Sequence, residues 1–165
     1  MTEPTAKRGR SSTIIATRVN WLGNRLVTTA SATYGQIGLG FLDARLLLLL
    51  GRRPDITAAR IAEILGVDAA AVSRAVKSLK ARKLIAEARG PLRSLSLTEE
   101  GKELWHQIEK ISDEREVRLL RGFSDEEAEL VLNYLSRMLD NMAEVALLAE
   151  QVQALVGLKA SEPVG

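Results

Sequence analysis

The sequence predicts a mainly α-helical fold with a small β-hairpin wing, and three observations carry that expectation. Apolar residues recur at helical spacing along most of the 165-residue chain. Two short alternating segments, residues 84 to 89 and 93 to 98, flank Gly90, Pro91 and Leu92 and read as one hairpin. Near the carboxy terminus eight apolar positions keep heptad spacing, a longer stripe than so small a chain can cover by itself.

Residues 1 to 12 are polar, hold Pro4 and Gly9, and carry Lys7, Arg8 and Arg10, the composition of a flexible basic arm. From Thr13 a first helix is expected to residue 35. Its Ile15, Val19, Leu22 and Leu26 fall on one stripe, and Gly35, Gly38 and Gly40 end the pattern. A second helix begins near Phe41 and runs through the five leucines Leu46 to Leu50. At ~100° per residue those leucines point in every direction around the axis, so this helix should be enclosed on all sides. Gly51 to Asp55, with Pro54, reads as a turn. Thr57 can cap a third helix in which Ile61, Ile64 and Leu65 share a face, and Gly66 stands where it should stop. Asp68 can cap a fourth, running to about Arg82, and the hairpin follows.

Thr98 then starts a helix with Leu104, Ile108 and Ile111 on one side, which breaks around Gly122 and Phe123. Ser124 and Glu127 form an S-x-x-E capping box for the last helix, read as the longest of the chain. Along it Val131, Leu135, Met138, Met142, Val145, Ala149, Val152 and Val156 alternate spacings of 4 and 3. At about 1.5 Å per residue the seam is about 39 Å long. It should pack against a second subunit, with Ile15, Val19 and Leu22 of the first helix contributing to the same layer.

The formal charge of +2 hides a division. Residues 1 to 50 carry six basic and two acidic side chains, residues 51 to 98 ten and four, and residues 99 to 165 seven and fifteen. A basic front and an acidic rear point to a polyanion partner for the front, with the acidic helices turned away from it. Six aromatic residues are too few for a base-stacking platform, so duplex nucleic acid is the better polyanion. The absence of cysteine excludes disulfides, thiolate metal sites, cysteine nucleophiles and thiol sensors, and the single histidine, His106, argues against a multi-histidine metal site. No phosphate-cradling glycine loop, paired carboxylate site or nucleophile–base pair can be assembled, so neither an enzyme nor a cofactor is expected. No apolar run approaches the ~20 residues of a membrane span. Ile14, Ile15 and Ala16 make no secretory h-region, so a soluble cytoplasmic protein is expected.

The chemistry-bearing segment is Thr57 to Thr98. Small Ala62 allows two helices to approach, Gly66 can take a left-handed turn, and Val72 anchors the next helix. On that helix Val72, Ala75, Val76 and Leu79 share the buried face, which leaves Ala70, Arg74, Lys77 and Ala81 opposite and Ser73 at the flank. Cations among small residues suit a major groove: Arg for guanine or phosphate, Lys for phosphate, Ala and Ser for close approach. Arg89 and Arg93 flank the hairpin tip, within reach of backbone or minor groove. The candidate DNA contacts are therefore Ala70, Ser73, Arg74, Lys77, Arg89 and Arg93. The plainer readings are a solvated helix face for Arg74 and Lys77, packing or surface for His106, and core for Trp21, Tyr34 and Phe41, which could otherwise line an effector pocket. Glu99, Glu100 and Glu103 complement the dipole of the helix they open.

With these elements in place the chain resembles the MarR family of bacterial transcription regulators. The resemblance rests on I-T-A-A-R-I-A-E-I-L-G-V (56 to 67), V-S-R-A-V-K-S-L-K-A-R-K-L-I (72 to 85) and L-S-L-T-E-E-G (95 to 101), and the flanking helices follow the family's order. It implies a homodimer with interlocked terminal helices, two winged helix-turn-helix modules reading a pseudo-palindromic operator, and often release of DNA when a small organic ligand binds. The corresponding division is a basic arm 1–12, a dimerisation helix 13–35, a winged helix-turn-helix DNA-binding domain 36–98, dimerisation helices 99–160 and a tail 161–165. The proposed dimer residues are Ile15, Val19, Leu22, Val131, Leu135, Met138, Met142 and Val145.

Two positions depart from the family. Lys83 stands where Gly is usual, which a less tight turn would accommodate, and the wing tip Gly-Pro-Leu-Arg lacks the Asp that usually partners the arginine. The function expected is sequence-specific duplex DNA binding as a transcriptional regulator, with a repressor the favoured form. The alternative from a different class is a winged-helix protein-interaction module or scaffold.

Overall fold

The computed structural model describes residues 11–88 and 93–156. Lys7, Arg8 and Arg10 of the arm, Arg89, the tip Gly90-Pro91-Leu92, the tail 161–165 and the side chains of Ala149 and Val156 lie outside the described residues. The chain order is α1 (Ser11–Gly35), α2 (Phe41–Arg52), α3 (Ala58–Leu65), α4 (Ala69–Ala81), β1 (Ile85–Glu87), β2 (Leu95–Leu97), α5 (Glu99–Leu119), α6 (Asp125–Asp140) and α7 (Met142–Val156). It divides into two compact units, residues 1–114 and 115–165, with α5 continuing through the boundary. Among the described residues no helix is long and apolar enough to cross a membrane.

The first unit is organised around α2. Leu46, Leu47 and Leu50 are fully buried and Leu48 and Leu49 are partly buried, as the leucine run requires. Around it pack the end of α1 (Ala30, Tyr34), α3 (Ile61), α4 (Val72, Ala75, Leu79), the hairpin (Ile85, Leu95) and α5 (Ile108), all in one core. The expected turn at Gly51 is instead the last turn of α2. The Trp105 ring lies directly against Gly51, where a Cβ would overlap the indole, so this glycine serves close packing rather than a bend. Trp21, expected in the core, is 56 % exposed, because it sits on the outward side of α1 with the Arg18 guanidinium 5.4 Å over its ring.

Local chemistry sets the helix ends as the sequence suggests. Thr57 Oγ1 accepts from the Arg60 amide at 3.3 Å, and Asp68 Oδ1 accepts from the Ala71 amide at 2.7 Å. Gly66 adopts φ 62°, and the Val67 amide returns to the Ala62 carbonyl at 3.1 Å, a Schellman closure. The same closure ends α4, but there the left-handed residue is Lys83, at φ 58°, with the Leu84 amide bonded to the Leu79 carbonyl at 3.0 Å. The turn at Lys83 is thus as tight as a glycine turn, and the looser turn expected from this substitution is not found.

The hairpin pairs β1 and β2 antiparallel, Ile85 with Leu97 and Glu87 with Leu95, and Leu95 also bridges to Ile56. Thr98 fastens its base: the hydroxyl donates to the Lys83 carbonyl at 2.6 Å and accepts from the Gly101 amide at 3.0 Å, while the Thr98 amide reaches the Leu84 carbonyl at 3.1 Å. A Cβ on Gly101 would collide with the Leu84 carbonyl oxygen, which explains the glycine in the L-T-E-E-G stretch.

In the second unit the Ser124–Glu127 capping box is complete, with the Glu127 amide 3.2 Å from Ser124 Oγ and the Ser124 amide 2.8 Å from Glu127 Oε2. The long carboxy-terminal helix is two helices meeting at Asn141, and the longest described helix is α1, with 25 residues. Asn141 keeps a helix-like backbone, φ −75° and ψ −7°, but its ψ near zero interrupts the regular ladder. Asparagine is a poor interior helix residue because its amide side chain competes for backbone partners. Val131, Leu135 and Met138 therefore lie on α6, and Met142 and Val145 on α7.

Candidate nucleic-acid interface

Helix α4 is held by its buried face, Val72, Ala75 and Leu79, and presents Ala70, Ser73, Arg74 and Lys77 to solvent. This is the division that the 100° projection predicts. The exposed arc borders two concavities. A groove of about 490 Å³ separates α4 from the hairpin and is lined by Ser73, Lys77, Lys80, Glu87, Arg93 and the capping Thr57. A shallower depression of about 340 Å³ lies on the other flank, with Arg74, Ala71 and Ser78 facing Leu42 and Asp43 of α2. Ser73, Lys77 and Arg93 thus share one groove, while Arg74 belongs to the opposite flank. Arg89 lies outside the described residues.

Among the described residues Arg74 and Lys77 enter no ion pair. Lys80, by contrast, is paired with Glu87 of β1, which links the last turns of α4 to the wing. The hydrogen bond from Lys80 holds the Glu87 carboxyl below its ordinary value, the lysine charge adds to this, and Arg93 contributes a further, smaller attraction. The wing arginine therefore has an acidic neighbour even though the tip lacks the family's Asp, and Arg93 itself adopts the left-handed conformation at φ 47°. On the other flank, partial burial raises the Asp43 carboxyl, against the opposing pull of Arg82 and a hydrogen bond from the Gly40 amide. Arg82 in turn donates to the Gly38 carbonyl at 3.1 Å, tying the end of α4 to the α1–α2 loop.

Lys80 and Glu87 are the charged residues of the groove that the sequence did not point to. A signal for the first was present: Ser73, Lys77 and Lys80 stand at i, i+4 and i+7, a polar stripe along one flank of α4. Glu87 gave none, because a three-residue strand does not announce which residue of α4 it will face. Tyr34 is buried and Phe41 packs against the core with Arg45 5.4 Å over its ring, as core readings of both require. His106 is exposed, and its ring lies 4.6 Å from that of Trp105 at a tilt of 43°, in keeping with a packing or surface residue. Among the described residues no three His, Asp or Glu side chains gather to hold a metal ion.

Residues 37–93, which hold α2, α3, α4 and both sides of the groove, match the model of the MarR family. Among curated proteins none matches the sequence. Solved structures do: a MarR/EmrR family transcriptional regulator from Acinetobacter sp. ADP1 is 30 % identical, over 81 % of this chain and 97 % of that one, with a TM-score of 0.74. A MarR family regulator from Listeria monocytogenes, solved with 26mer DNA, shares the fold at 20 % identity, with 89 % and 97 % of the two chains covered and a TM-score of 0.74. MepR of S. aureus, solved as a DNA complex, does so at 24 % identity, 75 % and 93 % coverage and a TM-score of 0.64. The winged helix meets the family model and the chain is 30 % identical to the Acinetobacter regulator over 81 % of its length, so it belongs to the MarR family of transcriptional regulators.

Proposed function

We propose that this chain binds double-stranded DNA as a homodimer, laying α4 in the major groove with the wing alongside, and so regulates transcription from a pseudo-palindromic operator. The observation that carries the reading is the exposed arc of α4. Arg74 and Lys77 stand on it without ion-pair partners among the described residues, beside small Ala70 and Ser73 that admit a base edge. The stretch around them, residues 51 to 98, has ten basic and four acidic side chains. The relatives solved with DNA lend support, since their fold is the one found here.

Homodimerisation is supported by uncovered apolar surface in each unit. On α1, Ile15, Val19 and Leu22 are 48, 41 and 46 % exposed. On α6, Val131, Leu135 and Met138 are 37, 39 and 39 % exposed, and this helix has no buried residue. Large apolar side chains left uncovered along one stripe of each helix mark an interface, and the seam spacing of these residues suits a second helix of the same kind. Repression relieved by a small organic ligand is the regulatory form the family resemblance favours, with the cytoplasm as its place of action.

The test is binding to the DNA upstream of the chain's own gene, by fluorescence anisotropy. Arg74→Ala should weaken binding by ~1 to 3 kcal/mol with relaxed base preference, and Lys77→Ala should weaken it evenly across sequences and reduce the salt slope by about 1. Binding that is indifferent to both changes together, or flat between low and physiological salt, refutes the reading.

A further inference from the structure

We infer that Glu87 is a specificity-determining residue, acting by charge: it keeps Lys80 occupied inside the groove between α4 and the wing, away from indiscriminate contact with DNA phosphates. The inference rests on the duplex-binding reading above. Among the described residues three cations, Lys77, Lys80 and Arg93, line this groove together with one carboxylate, Glu87. Among the described residues only Lys80 is ion-paired with that carboxylate, although it belongs to the same stripe of α4 as Ser73 and Lys77. The pair links α4 to the wing but is a weak brace. Its side chains are 34 and 43 % exposed, and an ion pair in that setting contributes little stability.

Its consequence is electrostatic. Non-specific binding comes almost entirely from neutralising phosphates, each released counterion adding to the salt dependence. A lysine already neutralised by a glutamate adds nothing to that count, and the carboxylate beside it repels an approaching phosphate. Base-edge contacts from Ser73 and Arg74 are unaffected. An internal carboxylate in the groove therefore lowers binding to arbitrary sequence more than binding to a cognate one, which raises the ratio between them.

The experiment measures anisotropy of a labelled random-sequence duplex of about 30 base pairs across a KCl series, for the full chain and the variants Glu87→Gln, Glu87→Asp, Lys80→Gln and the Glu87→Gln/Lys80→Gln double. Glu87→Gln should bind the random duplex more tightly at low salt with a slope steeper by about 0.9, so that between about 50 and 200 mM it loses about 3.5-fold more affinity than wild type. Glu87→Asp should keep the shallow slope. Lys80→Gln alone should leave the slope of wild type unchanged, and in the double variant it should remove the rise. A Glu87→Gln slope equal to wild type, a double variant as steep as Glu87→Gln, or a fall in slope on Lys80→Gln alone each overturns the inference while leaving duplex binding intact. Failure of the wild-type chain itself to bind any duplex at low salt would instead overturn the DNA-binding reading on which it rests.

Discussion

Replacing Lys83 with glycine should stabilise the protein. Three helices of the first unit end in the same closure, with an amide returning five residues and a left-handed residue before it: Leu39 to Tyr34 after Gly38 (φ 68°), Val67 to Ala62 after Gly66 (φ 62°), and Leu84 to Leu79 after Lys83 (φ 58°). Two of these positions hold the residue the geometry favours and one does not. An L-residue in this region costs ~1 to 2 kcal/mol through the clash of its Cβ with the following carbonyl. Glycine gives back ~0.4 to 1 kcal/mol through its greater freedom in the unfolded chain. The Lys83 side chain is exposed and enters no ion pair among the described residues, so little else is lost with it. The difference leaves about 0.5 to 1 kcal/mol in favour of Lys83→Gly. In urea titration at fixed protein concentration, with a slope near ~2 kcal/mol per molar, the midpoint should rise by about 0.4 M without a change of slope. Gly66→Ala is the mirror experiment. Its Cβ would meet nothing within 4 Å, so the cost is conformational alone and the midpoint should fall by a similar amount. A midpoint that is unchanged or lowered by Lys83→Gly, while Gly66→Ala loses stability, would refute the argument from backbone conformation.

Other perturbations have equally definite outcomes. Gly101→Ala places a methyl group against the Leu84 carbonyl, a backbone atom that cannot yield, so urea denaturation should show a loss of about 3 kcal/mol, the upper range of overpacking. Leu135→Glu with Met142→Glu puts charge on the exposed apolar faces of α6 and α7, and sedimentation should then show monomer where the parent chain sediments as a dimer; an intact, equally stable dimer would refute the seam. The Lys80–Glu87 pair also has a pH signature. Because Glu87 lies below its ordinary value of 4.5, the charged pair is fully present above that value and is lost only as the pH falls through the lower one. From ~pH 8 to ~pH 5 the affinity ratio of Glu87→Gln to wild type for random duplex should therefore stay constant. A ratio that drifts across that range would mean that another group titrates in the groove.

What the sequence made legible follows from how local each determinant is. Thr57, Asp68 and Ser124 act on amides three residues away, and each caps its helix as read. The buried stripe Val72, Ala75 and Leu79 is set by helical periodicity within thirteen residues, and its opposite face carries the exposed Ser73, Arg74 and Lys77. Asn141 shows where such reasoning stops. Heptad spacing continues from Val131 to Val156 whether or not the backbone does, so the pattern of side chains could not reveal the junction between α6 and α7. Gly51 failed for a related reason. A glycine before Arg52, Arg53 and Pro54 looks like the start of a turn, but its use is set by Trp105, more than fifty residues away in the chain.

The groove carries the same distinction into function. The absence of an Asp at the wing tip suggested an arginine without its usual partner, a judgement made from neighbours in sequence. In the folded chain the acidic neighbour of Arg93 comes from β1, because antiparallel pairing of Glu87 with Leu95 brings the two sides of the wing together. The same residue reaches Lys80 because α4 and β1 are joined by a tight left-handed turn at Lys83 that folds the strand back along the helix. Lys83 and Glu87 are thus parts of one arrangement: the turn that costs backbone strain sets the direction of the strand whose carboxylate meets the helix. If that is so, Lys83→Gly should leave the salt slope of DNA binding unchanged, because glycine preserves the turn. A rigid, badly fitting residue such as Lys83→Val should instead open the turn and steepen the slope toward that of Glu87→Gln, by releasing Lys80 without touching either charge. A slope that ignores Lys83→Val, in a variant shown by urea titration to have lost stability, would separate the turn from the charge pair and leave Glu87 to be positioned by the hairpin alone.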